Sequence, residues 1–148
     1  MLINKFFKLS NRNKLLFLYC YCLTGIFRII ILTIQFPLIS KWFLQPRKIK
    51  TSGSSTTHTE MAENIGLMVA RASKYTPWES KCLVQALTCK LVLRQASIVS
   101  TAYIGMVKEK NSKLEGHAWV SYNEHIILGG RNSPNIYKEI SRFTDIEE

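Results

Sequence analysis

Two short stretches carry the residue types that covalent acyl chemistry needs. The first is Pro77-Trp78-Glu79-Ser80-Lys81-Cys82-Leu83-Val84-Gln85-Ala86-Leu87, and the second is Gly116-His117-Ala118-Trp119-Val120. A thiolate is a strong nucleophile, and an imidazole can take its proton and later return it. Pro77 closes the preceding helix and biases Thr76 away from helical geometry. Ser80 is the expected N-cap of a new helix. From there Cys82, Leu83, Ala86, Leu87, Lys90 and Leu91 recur at helical spacing, predicting a helix over about 80–95. Cys82 then sits in the first turn, where free N–H groups and the helix dipole favour a thiolate. The same N–H groups can hold an oxyanion. Each residue also has a plain structural reading: a small buried hydrophobe for Cys82 and a satisfied strand histidine for His117.

Positioning these two residues is the task of the elements around them. A helix is expected from Thr59-Glu60, with Ile65, Met68, Val69 and Ala72 on one face, ending near Thr76. After the cysteine helix, 98–107, 114–122, 125–128 and 136–143 read as strands separated by polar turns. Helices first and then an antiparallel meander make an α+β fold. With Asn123-Glu124 as a two-residue hairpin turn, Tyr122 pairs with His125. His117 then falls opposite Gly130, on a face shared with Trp119, Ser121, Ile126 and Leu128. A residue orienting His117 should come from near Gly129 or Gly130, and glycine has no side chain to offer. Asn132 is the nearest polar candidate, with a backbone carbonyl or water as the others. Trp78 and Trp119 are candidates either to wall a substrate cleft or to pack in the core.

The charge is unevenly spread. The chain of 148 residues has a net charge of +10, yet residues 1–50 hold nine Lys or Arg and no Asp or Glu. Such asymmetry points to an anionic membrane surface or an acidic partner, and no nucleic-acid motif accompanies it. Residues 1–45 read as a basic, apolar helical region, 46–59 as a linker with a solvated His58, and 60–148 as the globular domain. The run Leu15–Ile34 is long enough to span a bilayer, but Arg28 inside it would cost ~2.5–3.5 kcal/mol there. Three readings of the run stand: a helix packed on the globular half or a partner, an interfacial helix, and a span. Pro37 starts a short second helix over 38–44, with Trp42 as an interface anchor. Cys20, Cys22, Cys82 and Cys89 form no disulfide or metal framework, which fits reduced thiols in a cytoplasmic, membrane-associated or soluble setting. No metal site and no phosphate-binding loop is expected.

Taken in order, Pro77-Trp78, Cys82-Leu83-Val84-Gln85-Ala86-Leu87, Ala102-Tyr103-Ile104-Gly105 and Gly116-His117-Ala118-Trp119-Val120 resemble the transglutaminase-like cysteine peptidases of lasso peptide biosynthesis. These enzymes remove the leader from a ribosomally made precursor. The resemblance is close over about 60–130 and looser over the N-terminal apolar helix and Phe36-Pro37. It implies a transglutaminase/papain-like core, with the nucleophile helix packed on a small antiparallel sheet. It makes Cys82 the nucleophile and His117 the general base. The family's third residue, usually Asp, falls at about Gly129-Gly130 here, so a dyad or a substitute such as Asn132 is implied. The implied partners are the precursor peptide, a separate leader-recognition protein and a macrolactam-forming cyclase. ATP belongs to that cyclase, and no cofactor is expected on this chain.

Overall fold

The computed structural model describes residues 2–52 and 55–148. Helix α1 (Leu2–Phe7) precedes a long α2 (Asn11–Thr33), whose N-cap Ser10 accepts a hydrogen bond from the Asn13 N–H at 3.3 Å. A short α3 (Phe36–Ile39), opened by Pro37 in its first turn, runs into a π-helical turn over Ser40–Leu44. Strand β1 (Lys48–Ile49) leads to α4 (Ser55–Ser73) and then to α5 (Cys82–Gln95). The C-terminal half holds β2 (Thr101–Lys108), β3 (Leu114–Tyr122), β4 (His125–Leu128), α6 (Ser133–Ile136), β5 (Lys138–Thr144) and β6 (Ile146–Glu147). The α+β expectation, with N-terminal helices and a small antiparallel sheet, matches this architecture.

Helix α5 is the centre of the packing. Val84, Ala86, Leu87, Cys89, Val92 and Leu93 are buried on it, covering most of its circumference, as a helix enclosed by neighbours requires. Helices α2 and α4 and strand β3 make its main contacts. One core joins Cys20, Leu23 and Phe27 of α2 with Ile65, Met68 and Val69 of α4, with α5, and with Ala118 and Val120 of β3. Gly66 lets α4 rest on the sheet: a Cβ there would stand 2.3 Å from the Ile127 carbonyl oxygen.

The sheet runs β4-β3-β2-β5. The expected meander is therefore corrected: β5 returns to the far edge of β2 instead of adding beside β4. The expected hairpin is present. Tyr122 pairs with His125, and Asn123 and Glu124 both have positive φ (45° and 67°), the twist that a two-residue turn needs. The expected continuation of that register fails, because an irregularity between Val120 and Ser121 pairs Val120 with Leu128. An extra residue on one strand moves every later side chain to the other face.

Three N-terminal expectations also change. Helix α4 begins at Ser55, not Thr59, and His58 is buried with its Nε2 2.9 Å from the Ser52 carbonyl oxygen. Within the stretch read as a linker, Lys48–Ile49 pairs in parallel with Ile146–Glu147, while Gly53 and Ser54 lie outside the described residues. Helix α2 is long and apolar enough to cross a membrane by length and composition, yet its Cys20–Leu23–Thr24–Phe27 face is buried in the protein's core.

Candidate active site

Cys82 is the first residue of α5 and is half-buried. Lys81, not Ser80, is the N-cap, and its side chain makes no capping hydrogen bond. The first-turn N–H groups are thus left without a cap side chain, in the field that favours an anion. Ser80 helps to shape the approach instead. The Thr76 hydroxyl lies 2.9 Å from both the Trp78 carbonyl and the Ser80 hydroxyl, and Gln85 Nε2 donates to the Ser80 carbonyl at 2.7 Å. The loop is folded on itself and tied to the helix it precedes.

Trp78 fastens this loop to α2. Its indole N–H donates to the Thr24 hydroxyl at 3.3 Å, and its ring meets Tyr21 edge-on at 5.1 Å. Glu79 pairs with Arg28 at 3.1 Å. Trp78 thus serves as a fastening of the nucleophile loop, and Arg28 is paired with a carboxylate.

His117 lies on β3 opposite Gly105 of β2. Its Nε2 is 2.7 Å from the Gly129 carbonyl oxygen. A carbonyl only accepts, so Nε2 carries the proton, and in the neutral ring Nδ1 is the free base. The Ser133 hydroxyl donates to the same carbonyl at 2.7 Å, and Ser133 is buried. Gly129 has φ +100°, and a Cβ there would stand 2.5 Å from Trp119 Cβ. The backbone at the end of β4 therefore reaches His117 only because residue 129 is glycine. Asn132 does not reach the histidine in this way: it is exposed, standing before α6 without a side-chain capping bond.

Aromatic rings hold the imidazole from its faces. Tyr137 stacks on His117 with centroids 4.6 Å apart, and Trp119 lies 6.0 Å away on the same strand face. Trp119 is 1% exposed and stacks on Tyr103 at 5.4 Å, so it is scaffold under the histidine and not a wall open to substrate. The Tyr137 hydroxyl donates to Glu115 at 3.1 Å. Desolvation raises its pKa, as do the Glu115 hydrogen bond and the Glu115 charge. Sequence reasoning missed Tyr137 and Ser133, which sit on the far side of the Gly129-Gly130 turn with no spacing that ties them to β3.

The other thiols stand in a different environment. Burial pushes the Cys20 thiol up to about 12, and burial pushes Cys89 up as well. Among the described residues no cluster of His, Cys, Asp or Glu is placed to hold a metal ion.

Comparison with known proteins gives one family. The transglutaminase-like superfamily matches residues 32–142, which take in α3, α4, α5 and the sheet up to β5. No curated protein and no solved structure matches the chain.

Proposed function

Because this chain belongs to the transglutaminase-like superfamily, a group of cysteine peptidases and acyltransferases, we propose that Cys82 and His117 form a cysteine peptidase centre. Its substrate is the precursor of a ribosomally made lasso peptide, from which it removes the leader. A separate leader-recognition protein delivers the precursor, and an ATP-using cyclase closes the freed core. The observation that carries the catalytic part is the Nε2–H···O contact from His117 to Gly129. It fixes the tautomer that leaves Nδ1 able to take a thiol proton.

In this reading the Cys82 sulfur attacks the carbonyl at the leader–core junction, forming a C–S bond. The N–H groups at the start of α5 hold the oxyanion. The imidazolium of His117 gives its proton to the leaving nitrogen as the C–N bond breaks. His117 then takes a proton from water, which attacks the thioester and restores the thiol. An amine in place of that water would make the reaction acyl transfer.

The contact that supports catalysis also favours a second reading. A neutral carbonyl stabilises an imidazolium less than a carboxylate does, so the fold also suits a non-catalytic peptide-binding adaptor. One experiment separates these readings. The purified chain is mixed with a lasso precursor peptide and a leader-binding protein, and product masses are read. Hydrolysis at a single junction is expected, falling at least about a thousandfold in Cys82→Ala. A product heavier by an amine would identify an acyltransferase. No product, with Cys82 alkylating no faster than a free thiol, would leave the adaptor.

A further inference from the structure

The side of α2 that faces away from the core is also apolar. Leu15, Leu18, Cys22, Ile26, Ile29 and Leu32 are all exposed. Steps of three and four residues place them on one stripe. From Leu15 to Leu32 it runs about 26 Å. A continuous apolar surface of this size marks an interaction site.

Charge says what kind of surface covers it. Lys5, Lys8, Arg12 and Lys14 lie at the stripe's N-terminal end, and residues 1–50 hold nine Lys or Arg and no acid. Arg28, the one charge inside the run, pairs with Glu79 and leaves the stripe uncharged. Exposed aromatic rings accompany this charge, Phe7 before α2 at 65% and Trp42 in the π turn at 50%. An apolar strip with a basic and aromatic N-terminal end matches an anionic interface, where hydrocarbon lies below phosphate. A groove of about 850 Å³ at the N-terminal end repeats that chemistry, lined by Phe6, Phe17 and Tyr75 together with Lys8, Arg71 and Lys74.

We propose that this face docks the protein on an anionic phospholipid membrane, with α2 lying in the plane of the interface. The opposite face of the same helix favours this placement over a span. Cys20, Leu23, Thr24 and Phe27 are at most 7% exposed within the core, and lipid could surround α2 only by dismantling that core. The docked helix also carries Trp78 and Glu79, so the membrane would set the orientation of the loop that leads to Cys82.

Cys22 supplies a reporter in the middle of the stripe. In a Cys82→Ser background it is the one exposed thiol, because Cys20 and Cys89 are buried. The full chain is labelled there with an environment-sensitive fluorophore and mixed with vesicles of phosphatidylcholine and phosphatidylglycerol in equal parts. A blue shift and flotation with these vesicles are expected, with neither on pure phosphatidylcholine. Lys5→Gln and Lys8→Gln should each weaken binding about fivefold. Ile26→Ser with Ile29→Ser should weaken it at least about tenfold, with thermal unfolding unchanged. Equal binding to neutral vesicles would overturn the proposal. So would absence of binding by a folded chain, or a blue shift without lipid that tracks dimer formation, since a second copy would then cover the stripe.

Discussion

At the scale of single residues, the unusual feature is that a backbone atom holds the catalytic candidate His117. Gly129 offers its carbonyl to Nε2, and Ser133 anchors that carbonyl from the other side. A side chain at 129 has no room, with Trp119 Cβ 2.5 Å from where its own Cβ would sit, and the positive φ is strained for any L residue. Gly129→Ala should therefore move the carbonyl away from the imidazole. Against the leader–core substrate kcat is expected to fall about 10²-fold with KM nearly unchanged, because a small misplacement at the reacting group costs that much. Gly130→Ala is the control. Its φ of +97° strains the backbone equally, but its Cβ would meet only the Ser133 hydroxyl at 3.5 Å. If both variants lose activity in parallel with thermal stability, the carbonyl has no special role. Part of this was legible beforehand. Two adjacent glycines stood where a carboxylate was wanted, but a carbonyl has no residue type to read, so Asn132 was the nearest candidate, with a backbone carbonyl or water as the others.

At the scale of elements, α5 is held at both ends, and both attachments set where Cys82 stands. Its first turn hangs on α2 through Trp78 and Glu79. Its last turns are tied by a buried ion cluster: Lys90 Nζ and Arg94 Nη2 each lie 2.8 Å from the Asp145 carboxylate. Lys90 also donates to the Ser100 carbonyl at 2.6 Å and the Phe143 carbonyl at 3.1 Å, while Arg94 reaches the carbonyls of Phe43 and Gln45. The cluster joins α5 to the end of β5 and to the segment after the π turn. Burial lowers the Lys90 pKa to about 8, against the opposing pull of Asp145. Burial raises the Asp145 carboxyl, but hydrogen bonds and charge from Arg94 and Lys90 outweigh it and hold it below its ordinary value. A depressed carboxylate stabilises the fold above its unfolded pKa of 3.8, and that stability is lost as pH falls through the folded value. Asp145→Ala should cost about 3–5 kcal/mol near neutral pH, since it leaves buried cations unpaired. It should also flatten the acid limb of stability in urea titrations below about pH 4. Adding Lys90→Met should recover part of the loss; if the double variant is no more stable than the single, the buried charge is not the cause. In the sequence Lys90 stood in phase with the apolar face of its helix, which hinted at burial. Asp145 gave no hint, because an acid in a polar C-terminal stretch looks solvated until β5 returns beside β2.

At the scale of the whole molecule, local patterns were readable and distant pairings were not. Apolar spacing found α5 and β3, and the Asn123-Glu124 turn found the hairpin, because each signal lies within a few residues. The order of the sheet and the pairing of β1 with β6 depend on segments far apart, which leave no periodicity in either partner. The placement of α2 belongs to the same class. Its composition allowed a span, a surface helix or a packed helix, and the burial of Cys20, Leu23 and Phe27 in one core with residues of α4 and α5 is visible only in the fold. Residues 60–148 contain both Cys82 and His117, yet without α2 the nucleophile helix would expose an apolar side and the Trp78 loop would lose its support. Phe27 is 1% exposed and meets Phe43 edge-on at 5.2 Å, so Phe27→Ala should cost about 3–5 kcal/mol, a large share of a small domain's stability. A fragment of residues 60–148 loses all of α2 and is expected to lack cooperative unfolding and dispersed amide resonances. If that fragment folds and its Cys82 alkylates as in the full chain, then α2 is an appendage, and the loop before Cys82 holds its shape through Thr76, Ser80 and Gln85 alone.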